Sequence, residues 1–374
     1  HFTSSTNYSD PYNDVDIDGI VQLPDNQELK IPGFWSGGNR FTIRVGKASP
    51  GRYAVRTVCT NQDDEGLHDQ VEECTVNDDR SAPSAIPERL RVSANRRFFE
   101  YENGEPFFWL GDTWWMALCK RINWPDGFDT LADDRVKKGF NTIHLITGPL
   151  PDMTAFDPRG EGEDGFPFEI DFERVRPEYF VHADKRIMRL IEKGLHPFIV
   201  SMWGYYLLDF GIEKTKRFWR YLIARYASLP VVWCAAGEVA MPFYLSKTPE
   251  VDTKQQREGW TEVIRYIQQT DPYDNPITAH PTNSARDQVT DQSVIDYDML
   301  QTGHDGYASI PSTVRGVKNS YSREPAMPTI VGETNYEGIL GGSHQDVQRR
   351  QFWYSVLSGA AGFTYGANGI WQAN

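Results

Sequence analysis

Two glutamates stand at the ends of apolar runs: Glu238 closes VVWCAAGE and Glu333 closes PTIVGE. A carboxylate there is costly to bury unless it is used or paired. Two carboxylates facing each other across a cleft can hydrolyse an acetal by dividing the work. One holds a proton and donates it to the leaving oxygen. The other is ionised and attacks the anomeric carbon or activates water. For either residue alone, the competing reading is a salt bridge to a nearby Arg or Lys. Further polar and aromatic residues gather at the ends of similar runs: Asp112 with Trp114 and Trp115, His144, Trp203 with Tyr205, His280, His304 and Trp371. Trp and Tyr carry flat apolar faces with a polar edge, which suits them to cover sugar rings as well as to fill cores.

The three histidines come from three different runs, and no HxH pair accompanies them. Hydrogen bonding to sugar hydroxyls, or orienting a carboxylate, is therefore expected of them rather than metal binding. No metal and no cofactor is expected. A GxSxG elbow for serine chemistry is absent.

These residues need a frame that brings strand ends together. Eight apolar strand candidates lie at 106–115, 140–148, 195–203, 231–239, 276–282, 299–304, 328–334 and 362–371. Helical patterns alternate with them, several ending in Gly or before Pro, and the pattern is weakest around 312–323. Eight buried strands joined by helices predict a (β/α)8 TIM barrel, whose chemistry sits at the carboxyl ends of its strands. An open doubly wound sheet is the other arrangement such a pattern allows, but no GxGxxG or phosphate loop supports it.

The first 80 residues read differently. Short alternating segments at 15–23, 40–46, 52–60 and 71–77, separated by turn clusters, predict an N-terminal all-β sandwich. Residues 81–88 read as a linker and 89–374 as the barrel domain. Asp14, Asp16 and Asp18 are spaced like the start of a calcium loop, but no Glu closes it. They read as a polar strand face. Cys59 and Cys74 are close enough in sequence to bridge neighbouring strands. The chain stops at Asn374, soon after the eighth run. The barrel is therefore expected to lack its last helix, and a C-terminal fragment or domain is expected to be missing.

Composition narrows the partners. The 374 residues hold 38 basic and 52 acidic side chains, a net charge of −14 that repels phosphate, so no nucleic-acid partner is expected. No apolar stretch is long enough to cross a membrane, so no membrane role is expected. Aromatics reach 13%, with 11 Trp. That fits a polysaccharide or oligosaccharide as the substrate.

The run RLRVSANRRFFEYENGEPFFWLGDTWW, followed by KKGFNTIHL, resembles the opening of the apiosidase-like glycoside hydrolase barrels. The upstream PGFWSGGNRFTIRVGKASPGRYAVRT resembles the small β-sandwich that often precedes them. The resemblance implies a secreted or periplasmic retaining glycosidase acting on plant, algal or microbial polysaccharide. It implies Glu333 as nucleophile, the strand-four carboxylate as acid/base, and Asp112, Trp114 and Trp115 as lining of the sugar subsite. Relatives often carry Gly-Gly-Asp at the end of strand four, and the broader superfamily an Asn before the acid/base. This chain has Ala236-Gly237-Glu238. The alternatives are a catalytically inactive carbohydrate-binding protein on the same barrel, or a metal-dependent barrel hydrolase.

Overall fold

The computed structural model describes residues 1–46, 49–77 and 86–374. Each of the eight apolar runs forms a parallel strand: Trp109–Thr113 (β1), Thr142–Ile146 (β2), His196–Val200 (β3), Val232–Cys234 (β4), Ile277–Thr278 (β5), Asp298–Gln301 (β6), Thr329–Glu333 (β7) and Gly362–Tyr365 (β8). The sheet order is β5-β4-β3-β2-β1-β8-β7-β6. First and last strands are therefore neighbours, and the sheet curls into a barrel. The seam between β5 and β6 is stitched by a Ser284–Leu300 bridge and by the Asp296 N–H donating to the Ile277 carbonyl.

Helices Asp126–Lys137 (α1), Pro177–Glu192 (α2), Ile212–Tyr226 (α3), Pro249–Thr270 (α4), Ile310–Ser322 (α5) and Gln345–Leu357 (α6) pack outside the strands. The weak 312–323 pattern is thus a real helix. Between β5 and β6 the described chain makes only a short turn, Ala285–Gln288, and a 3-10 turn at Gln292–Val294.

One side chain fills the barrel. Trp109 is fully buried, with its ring 5.6 Å from Phe198, 5.8 Å from His144 and 6.1 Å from Tyr297. A side chain at Gly362 would place its Cβ 2.3 Å from that of Trp109, so only glycine fits there. From below, Phe99 caps the same cluster at 4.9 Å from Tyr297. Phe99 belongs to a meander of Leu90–Val92, Phe99–Tyr101 and Pro106–Phe107, whose turn uses Gly104 at φ +90° and feeds β1.

Alternation along β1 then decides the fate of its polar residue. Successive side chains point to opposite faces of a strand. With Trp109 inward, Asp112 points outward into the helix layer. There it is fully buried and pairs with Arg135 of α1, while the Trp114 indole N–H donates to it at 2.6 Å.

The N-terminal region forms two antiparallel sheets. One is ordered Glu28–Pro32, Ile17–Gln22, Gly51–Cys59, Val71–Val76, and the other Phe2–Thr3, Arg40–Thr42, Phe34–Gly37. Phe2, Ile17, Phe41 and Leu67 are buried together between them. Two strands, 28–32 and 34–37, escape the sequence reading because Pro and Gly interrupt them. The linker assigned to 81–88 lies mostly in residues 78–85, outside the described residues.

Asp16 and Asp18 face the barrel. Arg220 of α3 donates to Asp18 at 2.7 Å and to Asp16 at 3.2 Å. Arg44 pairs with Asp184 of α2. The aspartates are thus docking residues, which agrees with their reading as a strand face. The Cys59–Cys74 bridge does not form. Cys74 sits opposite Tyr53 and is exposed, while Cys59 is buried at the far end of its strand, and both are free.

If Asp112 serves only as the buried partner of Arg135, Arg135→Ala leaves an uncompensated charge and costs about 3–5 kcal/mol. Urea denaturation checks this. Asp112→Asn is expected to lower stability while leaving KM unchanged for any substrate the protein turns over. A raised KM with unchanged stability would return Asp112 to the sugar site.

Candidate active site

Six strand ends converge on one place. After β4 the chain runs through Ala235, Ala236 and Gly237 to Glu238, whose backbone lies in the left-handed region at φ +38°. A non-glycine residue held there is strained, and such strain clusters at functional sites. Gly237 is required by its neighbour. A Cβ there would fall 2.1 Å from the Trp203 ring, which follows β3. The Trp203 indole therefore covers this position. The Trp203 N–H donates to Glu238 Oε2 at 3.3 Å.

Glu333 is the last residue of β7 and is 5% exposed. Its Oε1 receives the Gln301 amide at 3.0 Å and lies 3.0 Å from His304 Nε2. Its Oε2 receives the Tyr336 hydroxyl at 2.6 Å, and His280 Nε2 stands 3.4 Å away. The Trp115 indole in turn donates to the Tyr336 hydroxyl at 3.1 Å.

Gln301 joins the two carboxylates. Its single Nε2 lies 3.0 Å from Glu238 Oε1 as well as 3.0 Å from Glu333 Oε1. A register shift in the β6–β7 pairing at Leu300/Gln301 places Gln301 beside Glu333. Two oxygens each 3.0 Å from one nitrogen can be no more than twice that distance apart.

The protonation states diverge. Burial and the charge of Glu333 push the Glu238 carboxyl above its ordinary value, with Gln301, His280 and Trp203 opposing. Burial would push Glu333 up too, but the hydrogen bonds and charges of His280 and His304 more than offset it and leave Glu333 far below the usual carboxylate range. His304 is lowered by burial and raised more by Glu333, so it gains proton affinity overall. One carboxyl holds its proton more tightly than an ordinary glutamate and its neighbour less tightly.

The structure sorts the sequence-derived candidates. Glu238, Glu333, His280, His304, Trp203 and Trp115 meet at the site. Trp371 joins through a stack in which its ring lies 5.6 Å from Tyr336, and Tyr336 lies 5.2 Å from His304. Tyr205 lies beside it, packed against Phe243 at 5.4 Å.

Asp112, Trp114 and His144 are corrections. Asp112 faces Arg135, and Trp114 packs edge-on against Phe128 of α1 at 5.9 Å. His144 is fully buried beneath Trp115, 4.1 Å from the Phe198 ring, and burial holds it well below its usual value and neutral. Strand alternation turns the first two away from the mouth, and depth withholds the third. Among the described residues, no group of three or more His, Cys, Asp or Glu side chains is arranged to hold a metal ion.

Sequence reasoning passed over Gln301, although MLQTGH was taken as strand six. An amide has no charge to mark it, and only the bulge aims it. Tyr244 was passed over as well. Its hydroxyl donates to Asp152 at 2.5 Å, joining the loop after β4 to the loop after β2. Burial, the bond to Asp152, and the charges of Asp152, Glu238 and Glu333 all raise that hydroxyl above its ordinary value. Two clefts flank this span and share Asp152 and Met153. One of about 1150 Å³ lies toward Tyr205 and Phe243, and one of about 800 Å³ lies toward Trp371.

Known proteins share this fold. No curated protein matches the chain. Among solved structures, a protein of Bacteroides vulgatus assigned as a glycoside hydrolase superposes with a TM-score of 0.74 at 18% identity, covering 98% of this chain and 70% of its own. A glycoside hydrolase of family 5 from Bacteroides vulgatus gives 0.63 at 24% identity, over 76% of this chain and 63% of its own. A further glycoside hydrolase gives 0.60 at 26% identity, over 77% and 68%. The sequence profile described as "Apiosidase-like, catalytic domain" matches residues 93–374. With three quarters of its length matched, and with paired glutamates at the mouth of its barrel, the chain belongs to the apiosidase-like family.

Proposed function

We propose that the protein is a retaining glycoside hydrolase, with Glu238 as acid/base and Glu333 as nucleophile. The observation that carries this reading is the split in proton affinity between two carboxylates that share one amide donor. Glu238 protonates the glycosidic oxygen while Glu333 attacks the anomeric carbon and forms a glycosyl-enzyme. Glu238, now ionised, takes a proton from water, and that water releases the sugar and restores Glu333. Retaining enzymes hold their carboxyls about 5–5.5 Å apart, whereas inverting ones leave about 6.5–9.5 Å for a water. The shared Gln301 bond, which keeps the nearest oxygens within twice 3.0 Å, favours the shorter class.

The substrate belongs to the same proposal. A plant, algal or microbial polysaccharide, or an oligosaccharide from one, suits the aromatic mouth, and such a polymer is met outside the cytoplasm, in a secreted or periplasmic setting. His304, Tyr336 and Trp371 form a stacked wall on the Glu333 side, a surface suited to the glycone ring.

Glu333→Gln is expected to abolish sugar release in a reducing-end assay over a polysaccharide panel. Glu238→Ala is expected to lose turnover and regain part of it with azide on a glycoside with an activated leaving group. Near-normal release by Glu333→Gln would end this reading.

The pH profile carries the second expectation. Activity rises as Glu333 loses its proton and falls as Glu238 loses its own. The acidic limb therefore lies below the ordinary glutamate range and the basic limb above it. His304→Phe removes a donor that favours ionised Glu333, so the acidic limb moves to higher pH by about one unit. An unmoved limb would show that His304 does not set the charge of Glu333.

Gln301→Leu frees both carboxylates of their common donor. Both gain proton affinity, so both limbs move up, and kcat is expected to fall about tenfold or more with KM nearly constant. A changed KM at constant kcat would make Gln301 a sugar contact instead.

A further inference from the structure

The cleft that follows Glu238 in the chain is lined mainly by apolar and aromatic side chains. Its rim carries three large side chains held in the open: Ile170 is 83% exposed, Leu245 79% and Tyr244 56%. Phe243, Tyr205 and Phe156 face the same space. Soluble proteins rarely gather exposed apolar side chains in one concave place unless something binds there.

The cleft is joined to the glutamates through the chain. Met241 N–H donates to the Glu238 carbonyl, so the loop bearing Phe243, Tyr244 and Leu245 springs directly from the acid/base. Gln256 of α4 holds that loop through the Val239 and Met241 carbonyls at 3.3 and 2.8 Å. On the other side, Trp203 bonds Glu238 and Tyr205 follows two residues later. The Tyr205 and Phe243 rings meet at 68° and the Phe243 and Tyr244 rings at 56°. Inclined rings of this kind give a flat guest both faces and edges to pack against.

The leaving oxygen must lie on the side of the group that protonates it. The cleft residues Phe243, Tyr244 and Leu245 follow Glu238 in the chain and Tyr205 follows Trp203, whereas His304 and Tyr336 bind Glu333 and Trp371 stacks on Tyr336. We infer that this cleft is the leaving-group site and accepts a flat apolar aglycone, so that glycosides of aromatic alcohols are cleaved alongside saccharides. The inference rests on the glycosidase reading for its direction, but the cleft can be tested without catalysis.

The test has two arms. In the first, 2-naphthol is titrated by calorimetry into wild type, Glu333→Gln, Phe243→Ala and Leu245→Asp, with circular dichroism confirming that each is folded. Saturable binding is expected in wild type and unchanged in Glu333→Gln. Phe243→Ala and Leu245→Asp are expected to weaken it about tenfold, the loss that follows from one buried apolar side chain. No saturable binding, or equal binding in all four proteins, would overturn the site. So would sedimentation showing that copies of the chain pair through this face and shed 2-naphthol.

In the second arm, the 2-naphthyl and methyl glycosides of the sugar released by wild type are compared. Phe243→Ala is expected to reduce kcat/KM about tenfold for the naphthyl glycoside and to leave the methyl glycoside unchanged. An equal loss on both would overturn the assignment. If wild type cleaves no glycoside at all, the glycosidase reading fails, and the calorimetry still decides whether the cleft binds an aromatic ring.

Discussion

Glu333 is a carboxylate that lies almost out of reach of water and still stays ionised. Desolvation alone would neutralise it. Tyr336 and Gln301 donate to it, and His304 and His280 stand against it. This one requirement organises the mouth of the barrel. Tyr336 is held by Trp115, His304 is stacked on Tyr336, and Tyr336 is stacked on Trp371. Gln301 must leave its strand register to reach the site. The charge on Glu333 then raises Glu238. The buried anion thus adds to the burial that already raises its neighbour.

The second constraint is steric. Trp203 lies over Gly237, and a side chain at 237 would collide with the ring. Glycine there brings the indole N–H within reach of Glu238. The aromatic surface beside Glu238 continues into the apolar cleft, which Tyr205 lines two residues further on. The mouth is asymmetric as a result, with polar stacking around Glu333 and open apolar surface beyond Glu238.

The N-terminal sheets act on the opposite layer of the molecule. Asp16, Asp18 and Arg44 bind the helices α2 and α3. Those helices flank β3, the strand that delivers Trp203 and Tyr205. The sheets thus bear on β3 through the helix layer.

The amino-acid sequence by itself determined the barrel, because eight apolar runs separated by amphipathic helices have few other ways to bury their surface. It also determined the two glutamates, since a carboxylate ending a buried strand is legible without coordinates. Tertiary structure decided the rest. Asp112 and Trp114 sit in the same GDTWW segment as Trp115, and only the direction of strand alternation separates scaffold from site. His144 resembles His280 in sequence, but it lies a layer deeper, under Trp115. Gln301 carries no charge and was aimed by a bulge. Tyr244 reaches Asp152 across 92 residues of chain. Periodicity reports which face of an element is buried. It does not report which element lies opposite, and the chemistry of this site depends on what lies opposite.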